Sequence, residues 1–142
     1  MTVSAILAGK GRDVVTIGGG ASVTEVVSLL AVKKIGAVVV VDEGRIAGIV
    51  SERDVVRAMA AEGAAGLSRI VSSIMTRAVV TCSEGETIDG VMSRMTRGRF
   101  RHVPVVTNGH LSGIISIGDV VKARIEQVER EAEEMRAYIA TA

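Results

Sequence analysis

Aromatic side chains are almost missing from this 142-residue chain, which has one Phe, one Tyr and no Trp. Stacking platforms for single-stranded nucleic acid are thereby excluded, and the core has to be built from Val, Ile, Leu, Ala and Met. The one cysteine, Cys82, excludes an internal disulfide and any zinc site of several thiolates, and fits a reducing compartment. No stretch approaches the roughly 18 apolar residues of a membrane span. The opening MTVSAILAGKGRDVV also lacks the basic start and sustained apolar run of a secretion signal, so a cytoplasmic location is expected. Charge is nearly balanced, at +1, which gives no general electrostatic case for nucleic acid or anionic membrane as partners. A chain of this length can bury about 70% of its unfolded surface, enough for a core without staples.

Catalytic and metal-binding patterns are also lacking. No nucleophile stands with a base, and Cys82, His102 and His110 have no ligand spacing. Gly18-Gly-Gly20 is followed by Val23 where a dinucleotide loop needs its third glycine. Gly9-Lys10-Gly11 lacks the Ser or Thr that follows a phosphate-loop lysine. No enzyme activity, catalytic cofactor or metal is expected.

What the chain does have is duplication. Sliding it on itself by 65 residues aligns 13–58 with 78–123 without a gap, and 17 of the 46 positions are identical. GIVSERDVV at 48–56 returns as GIISIGDVV at 113–121. Each copy reads as a short strand (Val14 to Ile17, Val79 to Cys82), a helix after Ser22 or Thr87, a β-hairpin, and a helix after Ser51 or Ser116. Ser22-Val-Thr-Glu25 has capping-box spacing, and Val23, Val26, Val27 and Leu30 form an apolar helical face. AVVVV at 37–41 reads as a strand covered on both faces, and Asn108-Gly109 is a strong two-residue hairpin signal. The expected fold class is α+β, two β-α-β-β-α motifs packed by their sheets with pseudo-twofold symmetry. Gly63 to Ser68 is the linker, and an isolated three-stranded motif would be marginal alone.

With this order established, the chain resembles a tandem pair of cystathionine-β-synthase (CBS) domains, also called a Bateman module. The likeness covers about residues 1–123. It rests on the Gly-apolar-X-Ser-X-X-Asp motif at Gly48 to Asp54 and Gly113 to Asp119, on ArgHisValProVal at 101–105, and on ValSerSerIleMetThr at 71–76. It implies motifs at 1–66 and 67–123 with a helical extension at 124–142. By itself, Ser-X-X-Asp is equally a helix cap worth about 1 kcal/mol. The strand-to-helix turn before it adds a ligand reading: backbone N–H groups and a hydroxyl attract a phosphate, and a carboxylate one turn on accepts both hydroxyls of a ribose.

The resemblance implies two clefts for adenosine-containing ligands such as AMP, ADP, ATP or NAD(H). One combines Thr16, Ala37 and Val39 around adenine with Ser116 and Asp119, its phosphates meeting Arg101 and His102. The other combines Thr81, His102 and Pro104 with Ser51 and Asp54, with Arg53 as its nearest cation. Gly36 and Ala37 stand where the second copy has Arg101 and His102, so the two clefts are expected to differ in ligand or affinity. S-adenosylmethionine stays open as a ligand, although Arg101 and Arg53 favour anions over a sulfonium. Arg94, Arg97, Arg99, Arg101 and His102 form the densest basic stretch; without aromatic neighbours it reads as a solvated face or phosphate clamp. Arg94 and Arg97 are expected to be solvated at a helix end, and a buried, satisfied His102 is the alternative to a phosphate contact.

The last helix is expected to run to about Tyr138. Val121, Ile125, Val128, Ala132, Met135 and Ile139 follow a heptad seam, and Glu126 and Arg130 stand at i, i+4. The stripe either packs on its own domain or, as the resemblance implies, contributes to a homodimer. Two functions follow: a nucleotide sensor acting through the dimer or an unidentified regulated protein, or a dimerising scaffold that binds no ligand.

Overall fold

The computed structural model describes residues 1–141. The chain divides into two compact units, one of residues 13–80 and one that joins residues 1–12 to the chain from Thr81 onward.

In chain order the elements are α1 (Val3–Lys10), β1 (Thr16–Ile17), α2 (Val23–Lys33), β2 (Ala37–Asp42), β3 (Arg45–Ser51), α3 (Glu52–Glu62), α4 (Ile88–Gly98), β4 (His102–Thr107), β5 (His110–Ser116) and α5 (Ile117–Thr141). Short 3₁₀ turns at Gly63–Ser68 and Val71–Ser73 fill the expected linker and the segment after it.

The unit of residues 13–80 holds a three-stranded sheet, β1 parallel to β2 and β2 antiparallel to β3. Ala37 to Val40 are all buried, as their unbroken apolar run requires. Val23, Val26 and Leu30 of α2 lie in one apolar cluster with Val38, Val40, Val50, Val55, Val71 and Met75. Ser22 caps α2, its Oγ accepting the Glu25 N–H at 3.2 Å, which is one half of the expected capping box.

The other unit repeats this plan. Its core clusters Val3, Ile6 and Leu7 of α1 with Cys82, with Ile88, Val91 and Met95 of α4, and with Val103, Val105, Ile115, Val120 and Ala123. Both hairpins close on two residues of positive φ, Glu43-Gly44 (53° and 73°) and Asn108-Gly109 (51° and 78°), the mirror-image turn that matches strand twist. Both carry a register shift at the same place, Val40/Val41 and Val105/Val106.

One expected strand does not form. Val79 to Cys82 contributes only a parallel bridge from Cys82 to Val105, and the sheet of this unit has two strands, β4 and β5. The reason is a missing donor on the neighbouring strand. In the first copy the Val39 N–H donates to Val15 O at 3.3 Å, and the equivalent of Val39 is Pro104, which has no N–H to offer. The bonds that do not need that donor persist, Cys82 N–H to Pro104 O (3.0 Å) and Val106 N–H to Cys82 O (2.9 Å). The first-copy strand is likewise shorter than expected, Thr16–Ile17 rather than Val14 to Ile17.

A second correspondence extends the duplication at a different offset. Shifted by 68 residues, Val3, Ser4 and Ile6 match Val71, Ser72 and Ile74. The two segments make the same bonds. Thr2 bridges Thr87 as Ile70 bridges Ser22. Val3 N–H donates to Glu86 O and Ser4 N–H to Glu84 O; Val71 N–H donates to Ala21 O and Ser72 N–H to Gly19 O. Each unit is therefore the body of one copy completed by a segment that precedes the other copy in sequence. Leu7 and Met75, equivalent in this alignment, press on the equivalent glycines: a Cβ on Gly113 would lie 2.7 Å from Leu7 Cδ2, and one on Gly48 would lie 2.7 Å from Met75 Sδ and 2.8 Å from Thr76 O.

α5 is longer than expected, ending at Thr141. Val120 and Ala123 are its buried residues, whereas Val121, Ile125, Val128, Met135 and Ile139 are 45%, 52%, 49%, 59% and 67% exposed. The heptad stripe is thus left about half exposed or more along the helix. Among the described residues the ion pair along this helix is Arg136–Glu133, at 3.7 Å, rather than Glu126 with Arg130.

Candidate functional site

Both Ser-X-X-Asp motifs sit where β3 or β5 hands over to α3 or α5, and both form reciprocal caps. The Ser51 N–H donates to Asp54 Oδ2 at 2.9 Å, and the Asp54 N–H to Ser51 Oγ at 3.4 Å. At the second motif the corresponding distances are 2.9 and 3.2 Å. The capping reading of the motif is therefore realised in full. The cap bonds fall on Oδ2 in both carboxylates, so Oδ1 lies outside the cap.

The helix starts have fewer open donors than the turn suggests. Glu52 N–H donates to Gly36 O at 3.0 Å and Ile117 N–H to Arg101 O at 2.8 Å, while the third N–H of each helix is taken by the cap serine. These bonds fix the strand start against the helix start. In the second copy they bring Arg101, exposed, and His102, half-buried, beside Ser116, which pairs with His102 across the hairpin. In the first copy Ala37 pairs with Ser51 in the same way, Val39 lies opposite Ile49, and Thr16 pairs with Val39. Arg53 is exposed on the first turn of α3. Thr81 adjoins Cys82, whose N–H bonds the buried Pro104. Of the expected set, Thr16, Ala37, Val39, Ser51, Arg53 and Asp54 belong to one unit, and Thr81, Arg101, His102, Pro104, Ser116 and Asp119 to the other.

Two features have no local mark in the sequence. Arg94 is half-buried and paired: it meets Glu86 at 2.6 Å and donates to Thr81 O at 3.1 Å, so it anchors the backbone of an expected site residue. Lys10 donates to Asp119 Oδ2 at 2.5 Å and to Ile114 O at 2.8 Å, across 109 and 104 residues of sequence. The sequence signal for Lys10 is a cation at the end of a segment that itself recurs at an offset of 68. Asp54 faces the Thr76 hydroxyl instead, at 3.5 Å.

Burial pushes the Asp119 carboxyl up, but the hydrogen bond and charge of Lys10 with the bonds from Ser116 outweigh it and hold the group below its ordinary value. Glu84 is also held low, by the Thr107 hydroxyl and by Arg12. The Cys82 thiol is pushed up to about 11, by burial first and then by Glu86, against a smaller opposing effect of Arg94. It is a protonated core residue at neutral pH.

Comparison with known proteins agrees with this architecture. The CBS domain family matches residues 8–61 and 71–126. The crystal structure of the CBS-domain containing protein ATU1752 from Agrobacterium tumefaciens is 56% identical, with a TM-score of 0.85, covering 87% of this chain and 92% of that one. The CBS domain pair of protein MJ0100, crystallised with 5′-methylthioadenosine and S-adenosyl-L-methionine, is 27% identical with a TM-score of 0.80, covering 89% of this chain and 98% of that one. Among curated proteins, the mitochondrial CBS domain-containing protein CBSX3 of Arabidopsis thaliana is 34% identical over 123 residues, 83% of this chain. The chain spans 60% of that relative's length and 24% of another from the same plant, CBSCBSPB2. The duplicated motif, its two capped Ser-X-X-Asp turns and these matches place the chain in the CBS-domain family, as a tandem pair.

Proposed function

We propose that the chain is a regulatory module, not an enzyme, that binds adenosine-containing ligands, AMP, ADP, ATP or NAD(H), through Asp54 and Asp119. The carrying observation is that each carboxylate is fixed by its own cap through Oδ2 at a strand-to-helix turn, with Oδ1 outside the cap to accept a ribose diol. Arg101 and His102 beside Ser116 give the second copy two groups for phosphate. The ligands crystallised with MJ0100 share the adenosine moiety and support the class. The adenine-facing set, Thr16, Ala37 and Val39 for one ligand and Thr81, His102 and Pro104 for the other, is carried by the family resemblance, with Ser51 and Arg53 completing the second site.

A homodimer through α5 belongs to the same proposal. The exposed stripe of Val121, Ile125, Val128, Met135 and Ile139 repeats at heptad spacing and favours a second copy as its cover. Occupancy would then be passed to the dimer or to a regulated protein. Among the described residues no helix is long and apolar enough to cross a membrane, and a cytoplasmic location is part of the proposal.

The test is a thermal-shift series with each nucleotide. At about 100 times its dissociation constant a bound ligand stabilises by roughly 2.7 kcal/mol. Asp119→Ala together with Asp54→Ala should erase the shift while leaving a folded protein. No shift at millimolar nucleotide would leave the scaffold reading. Light scattering at micromolar concentration should give a dimer, and a monomer would remove the α5 contact from the proposal.

A further inference from the structure

Lys10 is a cation held directly on a carboxylate expected to bind sugar. It ends α1, a segment outside the copy that carries Asp119, and its ammonium uses two acceptors of the turn, Asp119 Oδ2 at 2.5 Å and the Ile114 carbonyl at 2.8 Å. The pair is neither open nor sealed, with the two side chains 34% and 24% exposed. A ribose diol that binds Oδ1 meets a carboxylate whose charge the ammonium on Oδ2 already draws on, so diol and ammonium compete for one anion. The equivalent carboxylate, Asp54, meets a neutral hydroxyl, from Thr76, which a diol replaces like for like.

We propose that Lys10 is a specificity-determining residue that favours phosphorylated over unphosphorylated adenosine ligands at Asp119; the inference rests on the reading of Asp119 as the ribose contact. An ammonium released from a carboxylate needs another anion. A nucleoside offers none, so its diol competes with Lys10 without compensation. A nucleotide brings a phosphate at the other end of the same ribose. A lysine side chain, a compact charge on a flexible four-carbon stem, can move from carboxylate to phosphate across a sugar. The exchange keeps the ammonium paired, and Arg101 and His102 beside Ser116 lie where the same phosphate would be drawn.

The experiment is calorimetry with AMP and adenosine in an Asp54→Ala background, so that only the Asp119 site is read. With Lys10 present, AMP should bind more tightly than adenosine. Lys10→Met should reduce that preference about tenfold, equal to about 1.4 kcal/mol, with adenosine gaining affinity and AMP losing it. Lys10→Arg should keep the preference. A preference unchanged within about twofold, or adenosine weakened by Lys10→Met, overturns the proposal. If Lys10→Met does not fold, amine-reactive labelling of the wild-type chain read by peptide mass spectrometry decides: adenosine should raise the reactivity of Lys10 and AMP should lower it. Equal effects of the two ligands overturn the proposal. Failure of the underlying reading looks different, because then neither ligand binds, or Asp119→Ala binds as well as its parent, and the inference falls with it.

Discussion

The two units share a backbone plan and differ in which side chains serve it. In one, the Gly19 N–H donates to Asp42 Oδ1 at 3.0 Å; in the other, at the equivalent positions, the Thr107 hydroxyl donates to Glu84 at 2.7 Å. Donor and acceptor have changed places while the tie between loop and strand end remains. The same holds for Gly48 under Met75 and Gly113 under Leu7, and for Asp54 facing Thr76 while Asp119 holds Lys10. Duplication has thus preserved the geometry that packing and caps enforce, and has let charge diverge where the sites are expected.

The largest effect should come from the paired glycines. Gly48→Ala drives a Cβ to 2.8 Å from the Thr76 carbonyl, which is backbone and cannot swing aside, whereas the three atoms nearest a Cβ at Gly113 all belong to the Leu7 side chain. Overpacking of this kind costs about 1–3 kcal/mol. Gly48→Ala is expected near the top of that range and Gly113→Ala near the bottom, measured by urea unfolding; equal losses would break the contrast between the units.

A smaller effect is expected in acid. Asp119 is held below its ordinary value in the fold, so its contribution to stability is present above the usual carboxylate range, about pH 4, and is lost as pH falls through the depressed value. Lys10→Met removes the principal opposing charge, so below about pH 4 it should narrow the stability gap to wild type by up to about 1 kcal/mol. Thermal melts at pH 3 and pH 7 measure this. A gap that widens in acid would show that Lys10 does not act through Asp119.

The smallest expected change restores a backbone donor. Pro104→Val gives the second copy the N–H that Val39 has in the first. That amide should become protected in hydrogen exchange by bonding Val80 O, with stability changed by less than about 1 kcal/mol, since gaining a bond offsets losing the rigidity of proline. An unprotected amide at 104 would mean that something besides the proline shortens the strand.

Elements with local signatures were legible. The apolar run at 37–41, the Asn108-Gly109 turn and the Ser-X-X-Asp caps each depend on residues within a few positions of one another, and each appears where the pattern puts it. The candidate site was legible only to the extent that it is built from those turns. The pairing of Arg94 has no local sign in the sequence, because nothing within a helical turn marks Glu86, eight residues back, as its partner.

By itself, then, the sequence determined the duplication, the hairpins, the helix starts and the twin carboxylates, because dihedral preference, side-chain period and capping act over one to six residues. Tertiary structure alone decided that residues 1–12 complete the core of the later copy, that Pro104 starves a neighbouring strand of a bond, and that Lys10 lands on Asp119. Those outcomes depend on which distant segments close against each other. Closure entropy varies only slowly with separation, so a contact across a hundred residues leaves no periodic trace along the chain.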